Sequence, residues 1–218
     1  NLALSAGSGR RCRVVVLAEI SDCVFRNNEA MLGAIGVGDI GLARIERCTV
    51  SSNLGGGIQI QTSGFEIIDC IVAENHADVG GGIIIGQQSG SRPCRIVRTR
   101  VRGNSSWLFA GGLAVSGQCE FIDCEFIRNE TEQLGGAVLA QGETSFVNCV
   151  FSNNSAGLGG GIYGSAILTT TNCTFTGNAG SAILNLGAPG TLEGLTAANC
   201  IFWANSPNEI SHDPKYPP

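Results

Sequence analysis

Residues 119–164 read CEFIDCEFIRNETEQLGGAVLAQGETSFVNCVFSNNSAGLGGGIYG, and they hold one short unit twice. The first copy runs Cys124, Phe126, Asn129, then Gly135-Gly136-Ala137-Val138. The second runs Cys149, Phe151, Asn154, then Gly159-Gly160-Gly161-Ile162. Moving outward in both directions, the Asn recurs as Asn28, Asn53, Asn75, Asn104, Asn129, Asn154, Asn178 and Asn205, at intervals of 22 to 29 residues. Five residues before each stands a Cys, at 23, 48, 70, 124, 149, 173 and 200, with Thr99 as the one exception. A regular repeat of this length is the mark of a solenoid.

The columns beside the Cys define strand faces. Ile20, Ile45, Ile67, Ile96, Phe121 and Phe146 lie three residues before it, and two residues after it stand Phe25, Val50, Val72, Val101, Phe126, Phe151, Phe175 and Phe202. The spacing is that of inward-pointing strand positions. The column between two inward ones reads Glu19, Arg44, Glu66, Arg95, Glu120 and then Ser145, Thr169, Thr196. The residue before each Cys position reads Asp22, Arg47, Asp69, Arg98, Asp123 and then Asn148, Asn172, Asn199. Both columns alternate acid and base and turn neutral in the same repeat. Parallel in-register stacking puts equivalent residues about 4.8 Å apart, where like charges repel and opposite charges or amides are tolerated. A helical or antiparallel arrangement gives no reason for the two columns to alternate in phase. The pattern predicts an all-β fold: a single-stranded right-handed parallel β-helix of about eight coils of about 25 residues, three strands per coil. The unit is strand, bend, strand, Asn turn, glycine-rich loop, third strand. Cys suits a tight corner as a small apolar residue, and Asn suits a turn with left-handed backbone.

Composition bounds the rest. The chain has 218 residues with 13 Lys+Arg against 18 Asp+Glu, a formal net charge of −5, and 14 % charged residues. That balance gives no basic stripe and argues against nucleic acid as a partner. No apolar run is long enough for a membrane-spanning helix. The lack of an initiator Met and of a signal-peptide pattern is what a mature or excised segment would show.

The pairing of Phe-x-x-Asn with Gly-Gly-(Ala/Ile/Gly)-(Ile/Val), as in Phe126–Asn129 with Gly135–Val138, resembles the repeat of the polymorphic outer-membrane proteins. It also resembles the wider bacterial set of right-handed β-helix repeat proteins. The resemblance covers about residues 14 to 210. It implies secretion or cell-surface exposure. Relatives of this kind include adhesins, passenger domains and polysaccharide-active enzymes, so it implies no single activity.

The search for chemistry yields few candidates. Outward positions of the third strand (Gln59, Gln61, Ile84, Ala114, Ser116, Leu139, Gln141, Tyr163, Leu184) carry no carboxylate. The acids on the other two strands alternate with Arg, which gives them a stacking role. Arg95 and Arg98 are expected to pair with neighbouring coils and Arg100 with Glu125, which leaves Arg102 unassigned. His76 lies in a loop with Glu74 and Asp78 beside it, and a solvated surface is preferred there to a metal site. Trp107, Glu130, Glu132 and Arg102 are the candidate glycan contacts. Phe109 is expected buried, in a loop column with Leu54, Val79, Leu134 and Leu158. Trp203 is expected to be exposed. No catalytic residue, cofactor or metal is assigned. The column cysteines are expected to be free buried thiols, with Cys94 and Cys119 the pair best placed to bond and Cys12 without a partner.

The domains are 1–13, an N-terminal segment; 14–210, the β-helix; and 211–218, a Pro-rich tail. Val14 and Val16 read as a third strand before the first coil, and Ile210 as the matching strand after the last. No amphipathic helix caps either end, so self-association through uncapped ends is expected. The first functional reading is a non-catalytic structural or adhesive protein, extracellular or at the cell surface. The second is a polysaccharide-binding or polysaccharide-cleaving β-helix with its site in the variable loops.

Overall fold

The computed structural model describes residues 18–30, 33–38, 43–62, 64–86, 94–187 and 194–211. The expectations for residues 1–13, Cys12, Val14, Val16 and the tail beyond Ser211 lie outside the described residues. The described chain contains strands and turns and no helix.

Three parallel sheets of eight strands each form a right-handed solenoid. Sheet 1 runs from Ala18–Ser21 to Leu195–Ala198, sheet 2 from Val24–Arg26 to Ile201–Trp203, and sheet 3 from Ile35–Gly38 to Ile210–Ser211. Each coil contributes one strand to each sheet. The register is that of the sequence columns: Glu19 faces Arg44, Arg95 faces both Glu66 and Glu120, and Phe126 faces Phe151.

The interior is a stack of like side chains. Phe126, Phe151, Phe175 and Phe202 lie ring on ring with centroids 4.9, 4.5 and 4.9 Å apart, and Phe121 stacks on Phe146 at 4.6 Å. Offset stacks of this kind add about 0.5–1.5 kcal/mol each beyond area burial. Ile45, Ile58, Ile60, Ile67, Ile83 and Ile85 fill the same core in the earlier coils.

Both bends use one residue in the left-handed region, a conformation that costs a non-glycine residue about 1–2 kcal/mol. Between sheets 1 and 2 it is the residue before the Cys column, with φ from 45° at Arg98 to 56° at Asn148. At the second bend it is the residue before the Asn: Asn27, Ser52, Glu74, Gly103, Arg128, Asn153, Gly177 and Ala204. The sequence reading put the left-handed residue on the Asn itself, and the structure corrects this by one position. The Asn has a different task. Its side-chain oxygen accepts from the backbone N–H and the amide of the Asn one coil earlier, as Asn129 does from Asn104 at 3.1 and 3.0 Å. Its own amide also donates to a strand carbonyl, Val101 for Asn129, at 2.8 Å.

The Cys column has a parallel function at the other bend. Cys70 Sγ donates to the Ile68 carbonyl at 3.2 Å, across the left-handed Asp69, and Cys124 does the same to Ile122 at 3.3 Å. Thr99 makes the matching bond from its hydroxyl to Val97 at 3.1 Å. The column therefore selects a small hydrogen-bonding side chain, and size alone does not describe it. None of the nine described cysteines forms a disulfide, and Cys94 and Cys119 are facing thiols in neighbouring strands.

Two expectations about exposure change. Ala114, Leu139 and Leu184 point away from the core of the solenoid, yet they are buried. Ala114 and Leu139 form a second small cluster with Ala110, over which Phe109, Leu134 and Tyr163 are packed. Phe109, expected to be buried, is half-buried, as are Val79 and Leu134 of its loop column, whereas Leu54 and Leu158 of that column are exposed.

Candidate functional site

The glycine-rich loop is more ordered than its composition suggests. His76–Val79, Ser105–Phe109 and Glu130–Thr131 pair in parallel as a three-stranded ribbon beside the solenoid. Isolated bridges extend it, Glu130 to Ser155 and Ser155 to Ala179. A row of glycines holds this ribbon close. A Cβ on Gly81 would stand 2.2 Å from the Ser105 carbonyl oxygen, and one on Gly111 would stand 2.2 Å from that of Glu130. Only a residue without a side chain permits such an approach.

The ribbon aligns His76, Ser105 and Glu130 on adjacent strands. His76 Nδ1 is 2.9 Å from Ser105 Oγ. The His76 ring meets Trp107 edge to face, with centroids 5.5 Å apart and planes at 86°. Trp107 is 55 % exposed and Leu108 beside it is also exposed. Glu130 and Glu132 are exposed on the next strand and its turn. Trp107 and Glu130 thus belong to one ridge, together with His76 and Ser105, which the sequence did not link to them. The sequence does align them, as each is the residue that follows its Asn (Asn75, Asn104, Asn129), but the residues of that column are chemically dissimilar from coil to coil. A histidine opposite a serine in successive repeats was the available signal.

Arg102 stands apart, on sheet 2 between Ala73 and Ile127, exposed. Trp203 is exposed as expected, 72 %, on the last strand of sheet 2. Five arginines of sheets 1 and 2 and the bend between them, Arg44, Arg47, Arg95, Arg98 and Arg100, are engaged with acids of the same surface. Arg47 grips Asp22 through two bonds of 2.8 Å, and Arg98 grips Asp69 at 2.7 and 2.9 Å. Arg95 meets Glu120 at 2.9 Å and Arg100 meets Glu125 at 3.0 Å, as the alternation predicts. The Arg47 and Arg98 guanidinium bonds hold the Asp22 and Asp69 carboxyls below the usual carboxylate range. A cleft of about 350 Å³ at the first bend is lined by Asp69, Arg98, Arg100, Asp123 and Glu125, so both of its arginines are already paired. Among the described residues no group of three or more His, Cys, Asp or Glu is arranged to hold a metal ion. No described helix is long and apolar enough to cross a membrane.

Three eight-stranded parallel sheets around one stacked core, with a polar and aromatic ribbon at one bend, define a parallel β-solenoid with a side ridge. The family described as right-handed β-helix region matches residues 11–202, and the chain belongs to that family. Neither the curated proteins nor the solved structures contain a match to the chain.

Proposed function

We propose that this protein is an adhesive β-helix of the cell surface or extracellular space that holds a carbohydrate along its side ribbon. The observation that carries the reading is Trp107. Its ring is half exposed and fixed by His76, which is in turn fixed by Ser105, and Glu130 is aligned beside them. A preordered aromatic face flanked by hydrogen-bonding groups suits the apolar face and hydroxyls of a sugar. The core is compatible with an oxidising location. Burial pushes the Cys119 thiol well above its ordinary range, and a buried protonated thiol is inert to oxidation. Likeness to the polymorphic outer-membrane repeat supports the same placement.

The test is retention on immobilised neutral and anionic polysaccharides. Trp107→Ala is expected to lose most of the retention while Trp203→Ala keeps it. Equal losses in both variants would remove the ribbon as the site. Release of sugar products that stops in Glu130→Gln or Glu132→Gln would instead make the protein a polysaccharide-cleaving enzyme.

A second reading, self-association through the solenoid ends, is favoured by a separate observation. Among the described residues, the strands of the last coil pair on one side only, and Ile201 and Ile210 are exposed there. Unpaired strand edges with apolar side chains are templates for another chain. Sedimentation across a concentration series tests it, and a chain that stays monomeric at every concentration would reject it.

A further inference from the structure

We infer that Ser105 and His76 form a nucleophile–base dyad that hydrolyses an uncharged acyl ester carried by a carbohydrate on the ribbon. The substrate class rests on the carbohydrate reading above, whereas the dyad stands on its own geometry. Along the ribbon Ala77, Ser106 and Thr131 are buried. Side chains of a strand alternate between two faces. The opposite face therefore carries His76 with Asp78, Ser105 with Trp107, and Glu130 with Glu132 in the turn beyond it. His76 and Ser105 are both half-buried there, so a ligand can reach them.

Three observations fit the pair to acyl transfer. His76 Nδ1 lies 2.9 Å from Ser105 Oγ, within hydrogen-bond reach. With the imidazole proton on Nε2 the hydroxyl donates to Nδ1, the arrangement in which a histidine activates a serine. The base is oriented by a third group, Trp107, whose ring meets the imidazole edge to face. The backbone under the pair is fixed. Each residue follows a ladder Asn, and both Asn75 and Asn104 are fully buried. The His76 N–H donates to the Asn53 carbonyl and the Ser105 N–H to the Asn75 carbonyl, each at 2.9 Å. The His76 carbonyl accepts from the Gly55 and Gly56 N–H groups at 2.8 and 3.0 Å. A pair held on rigid rungs needs little reorganisation to reach a reactive geometry.

The reaction balances with water as its only co-reactant. Ser105 Oγ bonds to the acyl carbon while its proton passes to His76 Nδ1. The bond from that carbon to the sugar oxygen breaks, and His76 returns the proton to the departing oxygen. Water then attacks the acyl carbon on Ser105 and gives a proton to Nδ1, and the serine oxygen leaves with that proton. Ester and water become acid and alcohol. Charge sets the ligand class. The ribbon strands carry no Lys or Arg, while Asp78, Glu130 and Glu132 are exposed on the same face. These carboxylates repel an anionic ester and the acid product. The substrate they leave is a neutral acyl group, such as acetyl, on a neutral sugar whose ring rests on Trp107.

The test joins covalent labelling with turnover on the full chain. A fluorophosphonate probe, followed by peptide mass spectrometry, is expected to modify Ser105. Acetate is expected to be released from an O-acetylated neutral polysaccharide. Ser105→Ala and His76→Gln should each lower that release about 100-fold, and His76→Gln should also abolish the label. Ser105→Cys tests the base separately. Iodoacetamide should alkylate the new thiol about tenfold faster than in the double variant Ser105→Cys with His76→Gln, because a neighbouring histidine promotes the thiolate. No label on Ser105 and no acetate, from a chain that polysaccharide still retains, overturn the dyad and leave the carbohydrate reading standing. Labelling that is unchanged in His76→Gln overturns His76 as the base. Ser105 labelled in a chain that no polysaccharide retains supports the dyad and overturns the sugar as its substrate.

Discussion

At the scale of the residue, two columns hold the bends, and each makes a measurable claim. Asn129 is fully buried and makes four side-chain bonds. Asn129→Ala strands the Asn104 N–H and amide as well as the Val101 carbonyl, and an unsatisfied buried group costs about 1–3 kcal/mol. A loss of roughly 3 kcal/mol is expected in urea denaturation. Asn28→Ala, at a half-exposed edge rung, should cost clearly less. Cys149 gives a second, isosteric comparison. Its thiol donates to Val147 at 3.4 Å and is within reach of the Phe121 carbonyl at 3.6 Å. If the column serves as a donor, as Thr99 indicates, Cys149→Thr should be more stable than Cys149→Val by about 1 kcal/mol, the net value of one such bond. Equal melting temperatures for Thr and Val would return the column to a matter of size.

At the scale of the element, the sheets carry their charges as paired ladders. Asp22 and Asp69 are held low mainly by hydrogen bonds from Arg47 and Arg98. A carboxyl depressed in the folded state stabilises fully above its ordinary value of 3.8, and that contribution is lost as pH falls through the depressed value. Acidification below about pH 4 should therefore lower the melting temperature of the unchanged chain more than that of Arg98→Gln, which has already lost one such pair. Parallel acid curves for the two proteins would show that the ladder pairs do not contribute. This element was legible in the sequence because the charge of one coil is constrained by the next: Arg95 is a base where Glu66 and Glu120 are acids. The ribbon was not legible. Its strands are as short as Glu130–Thr131, and the column that starts it, the residue after each Asn, changes from Leu54 to His76, Ser105, Glu130 and Ser155, so no shared chemistry marks it. The left-handed position was hidden for a different reason. Glu74, Arg128, Ser52 and Ala204 all occupy it, because the ladder bond of the following Asn offsets the strain whatever the side chain. Of the candidate contacts, Trp107 and Glu130 come together because both sit on that ribbon, whereas Arg102 stays on the face of sheet 2.

At the scale of the whole molecule, a solenoid is nearly one-dimensional: each coil touches only its two neighbours, so stability is a sum of coil and interface terms. The terms here are unequal. Phe151 and Phe175 have stacked rings above and below, Phe121, Phe126 and Phe146 have one on a single side, and all five side chains are fully buried. The first and last coils have a described neighbour on one side, and Phe25 and Phe202 are only partly buried. Opening should therefore begin at the edges and reach the aromatic coils last, with free energies rising inward. Native-state hydrogen exchange on dilute protein is expected to show Ala18–Ser21, Val24–Arg26, Leu195–Ala198 and Ile201–Trp203 exchanging first, and Cys119–Ile122, Glu125–Ile127 and Val150–Ser152 last. A single exchange rate across all coils would mean a cooperative unit that nearest-neighbour coupling does not produce.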